Sequence, residues 1–359
     1  MASAIDISGL TLNPKESTEF QKFVIEKTFE RPEIKALHTV YTGVKMKEQI
    51  VLAGQLGLSG VKGGACTRVS SGAKSVLTQK YWEPAGIEDT FVHCQADVNA
   101  LFKAYFDKIQ LYKEKYEITG SDEEVFLALM FENAINPTIY RAAWFGDTSV
   151  AAATGSVAGL KAAGNIKFFD YFDGILAQIF AGVTAGSIDR VTINENSLNT
   201  VAAQLNLSSG YAVQIFEEMW AKADARLKAD PEAIFYTSNS MWENYRQYLQ
   251  SKGENFTIEY TTDGLSQIRW NGKKVVNMNT IIDITSQAYF VNNTTDNAYW
   301  LPNLVVLSTP MNLPIATLNE DDFDEMEVWY EKKERATYMA YGFSLDAKVV
   351  ENYMVVAAY

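Results

Sequence analysis

The chain has 359 residues, of which 47% are hydrophobic and 21% charged, and it carries a formal net charge of −13 at pH 7. A chain of this length can bury a sizeable core, and we expect two subdomains plus extensions. Its apolar runs are all shorter than the roughly 20 residues of a membrane-spanning helix, and its acidity argues against sequence-dependent binding to nucleic acid.

The rare residue types argue against most metal and redox chemistry. Cys66 and Cys94 are the only cysteines, so we expect no structural disulfide and a reducing compartment. His38 and His93 are the only histidines, which leaves little basis for a zinc site or for acid–base catalysis by histidine. Residues 1–20 also lack the basic and apolar regions of a secretory signal.

Two extensions are predicted before the first long helical pattern. Residues 1–45 are expected to form a weakly structured N-terminal arm with a short helix near Ser17–Thr28. Residues 46–84 are expected to form an extended loop, since the 34 residues between Glu48 and Glu83 include six glycines but no acidic side chain. The apolar bulk of this loop is too small to offset the entropy lost on ordering, so we expect it to lie on an acidic surface of another copy of the chain. The cations between Glu48 and Glu83 are Lys62, Arg68, Lys74 and Lys80.

A long amphipathic helix is predicted from about Glu88 to Tyr116, because apolar residues recur there at three- and four-residue steps. The residues of this stripe are Phe91, Cys94, Val98, Leu101, Phe102, Tyr105, Ile109 and Tyr112. Ser121 begins a capping box that opens a second helix, and Pro137 is expected to end that helix. Thr138–Phe145 then has the pattern of a strand.

The middle of the chain mixes helices and strands. Two helices are predicted near Asn196–Leu205 and Ser209–Ala229, before a strand at Ala233–Thr237. Ser240 is expected to cap a further helix that continues through Leu249.

From Phe256 onward, apolar and polar residues alternate with a period of two, which is typical of strands. Asp263-Gly264 and Asn271-Gly272 supply the dipeptides that suit tight hairpin turns. Three further strands are predicted at Glu325–Lys332, Ala336–Phe343 and Lys348–Ala357. The overall class is therefore α+β.

No stretch has the pattern of a catalytic site. Gly155–Gly159 has its serine at the wrong position for a nucleophile elbow, and Gly60–Gly64 lacks the spacing of a phosphate-binding loop. His93 and Cys94 have no other cysteine or histidine near them in the sequence, so packing is a better interpretation than metal binding. We therefore expect no catalytic residues, no cofactor and no metal.

The acidic segment Asn319–Glu325 allows three interpretations. Its carboxylates could bind a hard cation, but the ligand order and central glycine of an EF-hand are missing. A solvated acidic turn is the simpler interpretation, and the third is an acceptor for the basic loop of a neighbouring copy. On this third interpretation the candidate interface residues are Lys62, Arg68, Lys74, Lys80, Asp321, Asp322 and Asp324.

Four segments resemble, in their order along the chain, parts of one known fold: Phe172–Leu176, Ala233–Tyr245, Arg269–Val276 and Ala336–Phe343. Together with the order of the other elements, they are similar to the major capsid proteins of tailed double-stranded-DNA bacteriophages, the Hong Kong 97-type shell fold. The first three resemble the start, the strand-then-helix element and a hairpin of the family's axial domain, with lysine here in place of a usual proline. The fourth is similar to the final strands of the peripheral domain. The resemblance spans about Met46 to Tyr359.

The resemblance implies an α+β fold with five parts. These are an N-terminal arm (1–45), an extended hairpin loop (46–84), a peripheral domain with a spine helix (85–172), an axial domain (173–322) and C-terminal strands of the peripheral domain (323–359).

The resemblance also implies a function without catalysis. Proteins of this family self-assemble as pentamers and hexamers into an icosahedral head shell, which encloses double-stranded DNA without sequence-specific binding. The implied partners are scaffolding, portal and decoration proteins, and the implied location is the virion, after assembly in the cytoplasm of the bacterial host. Two alternatives stay open: an encapsulin-type nanocompartment shell that stores a cargo enzyme, and an enzyme of an unrecognised α+β family.

Overall fold

The computed structural model describes residues 36–44, 47–53, 77–94, 135, 137–149, 160–252, 259–260, 266–279, 289–291, 299–318, 327–334 and 336–359. Several predicted features lie outside these residues. They are the helix near Ser17–Thr28, the helix that Ser121 opens, the body of the glycine-rich loop, the turn at Asp263-Gly264 and the acidic segment Asn319–Glu325.

Strands and helices both contribute to the described residues, which confirms the α+β class. In chain order the strands are β1 (Val40–Tyr41), β2 (Gln49–Ala53), β3 (Leu77–Tyr81), β4 (Ala85–Cys94), β5 (Asp189–Val191), β6 (Ile234–Thr237), β7 (Glu259–Tyr260), β8 (Ser266–Trp270), β9 (Lys273–Asn277), β10 (Val305–Ser308), β11 (Ile315–Ala316), β12 (Glu327–Glu331), β13 (Ala336–Ala347) and β14 (Val356–Ala358). The α-helices are α1 (137–145), α2 (Ile175–Thr184), α3 (Val201–Leu205), α4 (Tyr211–Lys222), α5 (Ala225–Ala229) and α6 (Asn239–Ser251). Short 3-10 helices lie at Ala163–Phe168, Asn194–Ser197 and Asn352–Met354.

The larger sheet lies between two hydrophobic cores. Its seven strands run in the order β5-β14-β10-β6-β9-β8-β7, and its pairing is parallel between β5 and β14 and between β6 and β9. Ile234 and Tyr236 of β6 belong to one core, with α1 and α2, whereas Phe235 belongs to the other, with α4 and α6. Because both faces of the sheet are covered, its central strands are apolar runs without alternation.

The smaller sheet is built around the long strand β13. Along ten residues β13 pairs antiparallel with β4, from Ala336 opposite Cys94 to Leu345 opposite Ala85. On its other side it pairs first with β12 and then with β11, and β11 pairs with β1. Alternate residues of β13, including Tyr341, are buried in the core shared with the larger sheet, while the opposite face of β13 is partly exposed.

His38 lies at the joint between the two sheets and is fully buried. Its Nδ1–H donates to the Leu313 carbonyl oxygen at 2.7 Å, and its Nε2 accepts from the indole N–H of Trp144 at 3.2 Å. The ring also stacks on Tyr236, whose hydroxyl donates to the carbonyl oxygen of Leu37 at 2.8 Å. Burial lowers the pKa of His38 to about 4, so the imidazole is neutral at pH 7.

The long amphipathic helix does not begin at Glu88 as predicted, because Glu88–Cys94 belongs to strand β4. Ten consecutive pairs with β13 override the helical spacing of the apolar residues in this segment. Thr90, Phe91 and Val92 are also β-branched or aromatic, the residue types that favour strands. The rest of the predicted helix, residues 95–116, lies outside the described residues.

Thr138–Phe145 is a helix rather than the predicted strand. Pro137 does not end a helix as predicted, because Ile135 before it and the residues after it through Phe145 are all helical. Ala142, Ala143 and Trp144 are all fully buried. A segment that is buried on every side shows no period, so its sequence pattern cannot separate helix from strand.

The final predicted strand, Lys348–Ala357, was wrong in both length and position. The only strand in this stretch is β14, and a 3-10 helix at Asn352–Met354 precedes it. β14 pairs with β10 and β5, so it completes the larger sheet and does not lie beside β12 and β13.

Locally encoded elements of the larger sheet are confirmed. β8 and β9 are joined by Asn271 and Gly272, whose φ angles are +48° and +79°. β6 and α6 follow one another as predicted. The predicted helix Ser209–Ala229 is present in two pieces, because Asp224 caps the start of α5 by accepting from the Arg226 backbone N–H at 2.8 Å. Of the predicted helix Asn196–Leu205, only α3 and the end of the 3-10 helix Asn194–Ser197 are helical, with residues 198–200 between them.

Candidate subunit interface

The predicted basic loop has a two-stranded base. β2 and β3 pair antiparallel, from Gln49 opposite Tyr81 to Ala53 opposite Leu77, so residues 54–76 connect the far ends of this ladder. Toward the body of the protein the pairing continues, because the Trp82 N–H donates to the carbonyl oxygen of Glu48 at 2.9 Å. The loop is therefore the tip of a hairpin whose base belongs to the described residues.

Trp82 holds the base of the hairpin by apolar contact. Its side chain is buried together with Val44 and Ala316, and Ile50 packs against this cluster from the hairpin side. The ring of Tyr41 lies 6.1 Å from that of Trp82. Since Tyr41 and Ala316 are paired residues of β1 and β11, the cluster ties the hairpin to the edge of the smaller sheet.

Asp346 adds a polar contact one residue further along. Its side chain is fully buried, and its Oδ2 accepts from the backbone N–H of Glu83 at 2.7 Å. Lys348 Nζ lies 3.3 Å from the same oxygen. Burial raises the pKa of Asp346, while the ammonium of Lys348 opposes this shift. The neighbouring cation therefore compensates in part for burying the carboxylate.

Lys80 is the outermost of these contacts and the one member of the predicted interface set within the described residues. Its half-buried Nζ donates to the carbonyl oxygen of Val349 and, at 3.2 Å, to Oδ1 of Asn352. Burial lowers the pKa of Lys80; Lys348 lowers it further, and Glu351 opposes both effects. Both partners of Lys80 lie in its own chain, and its predicted contact with a neighbouring subunit stays a prediction.

A row of three large side chains, two exposed and the middle one partly exposed, crosses the smaller sheet and is called the exposed row. Val92, Tyr338 and Trp329 are opposite one another in the register of β4, β13 and β12. Val92 is 54% exposed and Trp329 is 40% exposed. The rings of Trp329 and Tyr338 stack at 5.2 Å with an interplanar angle of 9°. A flat aromatic surface of this kind, open to solvent, is typical of a contact surface between proteins.

Acidic groups lie on the same side as this row. Glu88 is exposed on β4, four residues before Val92 and so on the same face, and Glu334 is exposed in the turn before β13. The hydroxyl of Tyr338 donates to the carboxylate of Glu334. A partner that covers the row would therefore need apolar groups at its centre and cations at its rim.

The other predicted interface residues lie outside the described residues: Lys62, Arg68, Lys74, Asp321, Asp322 and Asp324. The contact between the basic loop and the acidic segment therefore stays a prediction. Sequence reasoning missed the acceptors of Lys80, since a backbone carbonyl group leaves no signal in a sequence. It could have found Asp346, because a carboxylate between Leu345 and Ala347 stands out in an apolar strand.

Among the residues that the structure describes, no group of three or more histidine, cysteine, aspartate or glutamate side chains is placed to hold a metal ion. No helix within those residues combines the length and the apolar character that crossing a membrane requires. His93 and Cys94 lie at the end of β4, paired with Thr337 and Ala336.

Comparison with solved structures identifies the fold. A chain in the procapsid of satellite phage P4, in a structure that includes the size determination (Sid) protein, matches 94% of this chain over 98% of its own length. The TM-score of this match is 0.53 and the sequence identity is 12%. The chain has the Hong Kong 97-type fold of phage capsid proteins.

A second match supports the same fold. A chain from Gordonia phage Cozz covers 90% of this chain over 85% of its own length, with a TM-score of 0.50 and 10% identity. No protein-family model and no curated protein matches the sequence. The fold is thus recognised through the backbone, at identities where sequence alone carries little signal.

Proposed function

We propose that the chain is a major capsid protein, which self-assembles into the icosahedral head shell of a tailed phage and encloses its double-stranded DNA. The observation that carries this proposal is the match to a chain of the P4 procapsid, which extends over nearly the whole of both chains. The match covers 94% of this chain and 98% of that one, which supports one shared architecture across both chains. We accordingly propose a structural role rather than an enzymatic one.

The proposed function comes with a proposed division of the chain. The hairpin base formed by β2 and β3 supports an extended loop at 46–84. The smaller sheet would form the peripheral domain, and the larger sheet would form the axial domain at about 173–322, with β14 added to it from the C-terminal segment. Residues 1–45 would be the N-terminal arm, and the spine helix would lie within 85–172.

Contacts between subunits would form at two places. The cations Lys62, Arg68 and Lys74 would engage the acidic segment that contains Asp321 and Asp322 on a neighbouring subunit. One exposed ion pair contributes only about 0–1 kcal/mol, but a shell repeats each contact many times. The exposed row of Val92, Tyr338 and Trp329 supplies a second, apolar surface.

The remaining partners follow from the same proposal. Subunits would associate as pentamers and hexamers, with scaffolding, portal and decoration proteins as further partners. The net charge of −13 suits an inner wall that encloses DNA without adhering to it. Assembly would take place in the bacterial cytoplasm, and the mature location would be the virion.

Electron microscopy and light scattering of the purified protein test this proposal. Closed shells are expected at some combination of protein and salt concentration. A monodisperse monomer of 40.1 kDa under every condition would contradict it. Genome neighbours separate a phage shell from an encapsulin-type compartment: terminase and portal genes indicate the former, and a ferritin-like or peroxidase gene indicates the latter.

The loop contact has its own test. Replacing Lys62, Arg68 and Lys74 together by glutamate should reduce shell yield while the unassembled subunit stays folded. The control replaces the exposed residues Lys161, Lys252 and Lys332 by glutamate, which changes the net charge by the same amount. If both triple variants assemble equally well, the loop cations have no specific role in the contact.

A further inference from the structure

We infer that Lys80 positions the loop hairpin by fixing the angle at which β2 and β3 leave the body of the subunit. The consequence of this role for shell geometry rests on the proposed function, whereas the role itself concerns a single chain. We use the name hairpin clamp for two sets of contacts: those of Lys80 with Val349 and Asn352, and that between Glu83 and Asp346.

The clamp holds β3 at two levels. At the foot of the ladder, Trp82 is packed in its apolar cluster and the Glu83 N–H is bound to Asp346. Lys80 lies three residues further toward the loop, a distance of about 10 Å along a strand. Ile50, which pairs with Lys80 across the ladder, also packs against the Trp82 cluster, so β2 has an apolar contact at this second level. Lys80 adds a directional polar contact from β3 at the same level, which restricts rotation of the hairpin about its foot.

The acceptors of Lys80 are themselves held in place. The Val349 N–H donates to Oε1 of Gln178 at 2.9 Å, and Nε2 of Gln178 donates to the Ala347 carbonyl oxygen at 2.7 Å. Asn352 Nδ2 donates to Oγ of Ser187 at 2.9 Å. Since Gln178 belongs to α2 and Ser187 follows that helix, the clamp fixes the hairpin relative to a buried helix of the body.

The chemistry of the contact indicates positioning rather than charge pairing. Both acceptors of Lys80 are neutral, a backbone carbonyl and a side-chain amide. The buried carboxylate of Asp346 is bound by Lys348 and by the Glu83 N–H. A half-buried ammonium group that leaves its acceptors is not fully solvated by water, so it stays bound to them. Neutral acceptors of this kind fix the position of Lys80 without an ion pair.

Hydrogen exchange of the unassembled chain tests the inference with Lys80→Met, which keeps the length of the aliphatic side chain. Amides of β2 and β3 should exchange about ten-fold faster than in the wild type, the scale expected from losing one hydrogen bond with a charged donor. Amides of β6 and β10 should be unchanged. Lys80→Arg should restore much of the protection in β2 and β3, because it keeps a cationic donor.

Lys273→Met is the matched control. Lys273 is also partly buried and donates to a backbone carbonyl, that of Asp230, at 2.5 Å, but it lies in the larger sheet. The Lys273→Met substitution should leave the hydrogen exchange of β2 and β3 unchanged. If Lys80→Met fails to fold, Asn352→Ala removes one acceptor only and should speed exchange of these strands about three-fold.

Two results would overturn the inference. One is unchanged exchange of β2 and β3 in Lys80→Met, and the other is an equal acceleration in Lys273→Met. Shells assembled from Lys80→Met should have a broader distribution of diameters than wild-type shells. An unchanged distribution would show that the clamp does not determine shell geometry. A wild-type chain that never forms shells would contradict the proposed function alone, because exchange is measured on single subunits.

Discussion

The two sheets differ in how completely their faces are covered. The larger sheet lies between two cores, so neighbouring residues of one strand, such as Tyr236 and Phe235, are both fully buried. The smaller sheet buries one face only, and its other face carries the exposed row of Val92, Tyr338 and Trp329. Both faces of the larger sheet are thus covered by described residues, whereas the smaller sheet leaves Val92 and Trp329 exposed on one face.

This difference separates stability from association. Side chains of the larger sheet should determine the free energy of unfolding of the single subunit. Side chains of the exposed row should matter little to that free energy and more to shell formation. Three substitutions and one change of pH test this division, and their expected effects on the free energy of unfolding decrease from Phe235→Ala to Trp329→Ala.

Phe235→Ala should have the largest effect. Phe235 is fully buried, and its ring lies 4.9 Å from Phe216 and 5.5 Å from Trp270. Removing a buried aromatic ring should lower the free energy of unfolding by about 3–5 kcal/mol. Denaturant unfolding measures this change, and a loss below about 1 kcal/mol would contradict the view that this core dominates stability.

Acidification tests the joint between the sheets. The pKa of His38 is lowered to about 4 in the folded chain, so between about pH 6.5 and 4 the unfolded state binds the proton more readily. The contribution of His38 to the free energy of unfolding is fully present above pH 6.5. It decreases as the pH falls to 4, by about 3 kcal/mol in total.

Comparing the wild type with His38→Gln isolates this contribution, since carboxylates and His93 titrate in both proteins. The difference in free energy of unfolding between them should decrease as the pH falls from 6.5 to 4. Parallel pH profiles would show that His38 titrates alike in the folded and unfolded chain.

Gly272→Val should lower the free energy of unfolding by roughly 1–3 kcal/mol through backbone strain. The φ of Gly272 is +79°, and a Cβ atom built there meets nothing within 4 Å, so crowding adds no cost. Gly272→Asn is the control, because asparagine tolerates positive φ better than a β-branched residue. Equal stability of the two variants, measured by thermal unfolding, would argue against the strained turn.

Trp329→Ala should have the smallest effect on the single subunit, about 1 kcal/mol or less, because it removes one exposed ring stack. Shell yield should nevertheless fall if the exposed row is a contact surface. Met311→Ala is the control, since Met311 is 71% exposed but lies outside the row. Equal shell yields from the two variants would remove the row from the proposed interface.

The sequence predicts those parts of the fold whose determinants are close together in the chain. The β8–β9 hairpin depends on Asn271 and Gly272, and both the turn and its strands are as expected. β4 depends instead on β13, and no local pattern shows that Ala85 pairs with Leu345. The helix α1 was mistaken for a strand because burial on all sides removes the periodicity that distinguishes the two.

The candidate interface was predictable to a similar degree. The lack of acidic residues between Glu48 and Glu83 indicates an unusual loop, and the hairpin base agrees with an extension at that place. The hairpin clamp was not predictable, because it joins Lys80 to a carbonyl group and an amide far along the chain. The exposed row was also missed, since it requires three strands to be in register.

The long separations in the hairpin clamp affect the order of events during synthesis. Glu83 is 263 residues before Asp346, and Lys80 is 269 residues before Val349. At about 5–20 residues per second, a ribosome needs on the order of tens of seconds to bridge that gap. Throughout this time Lys80 and Glu83 are made but their partners in the clamp are not. A polypeptide whose translation stops before residue 346 therefore lacks every contact of the hairpin clamp.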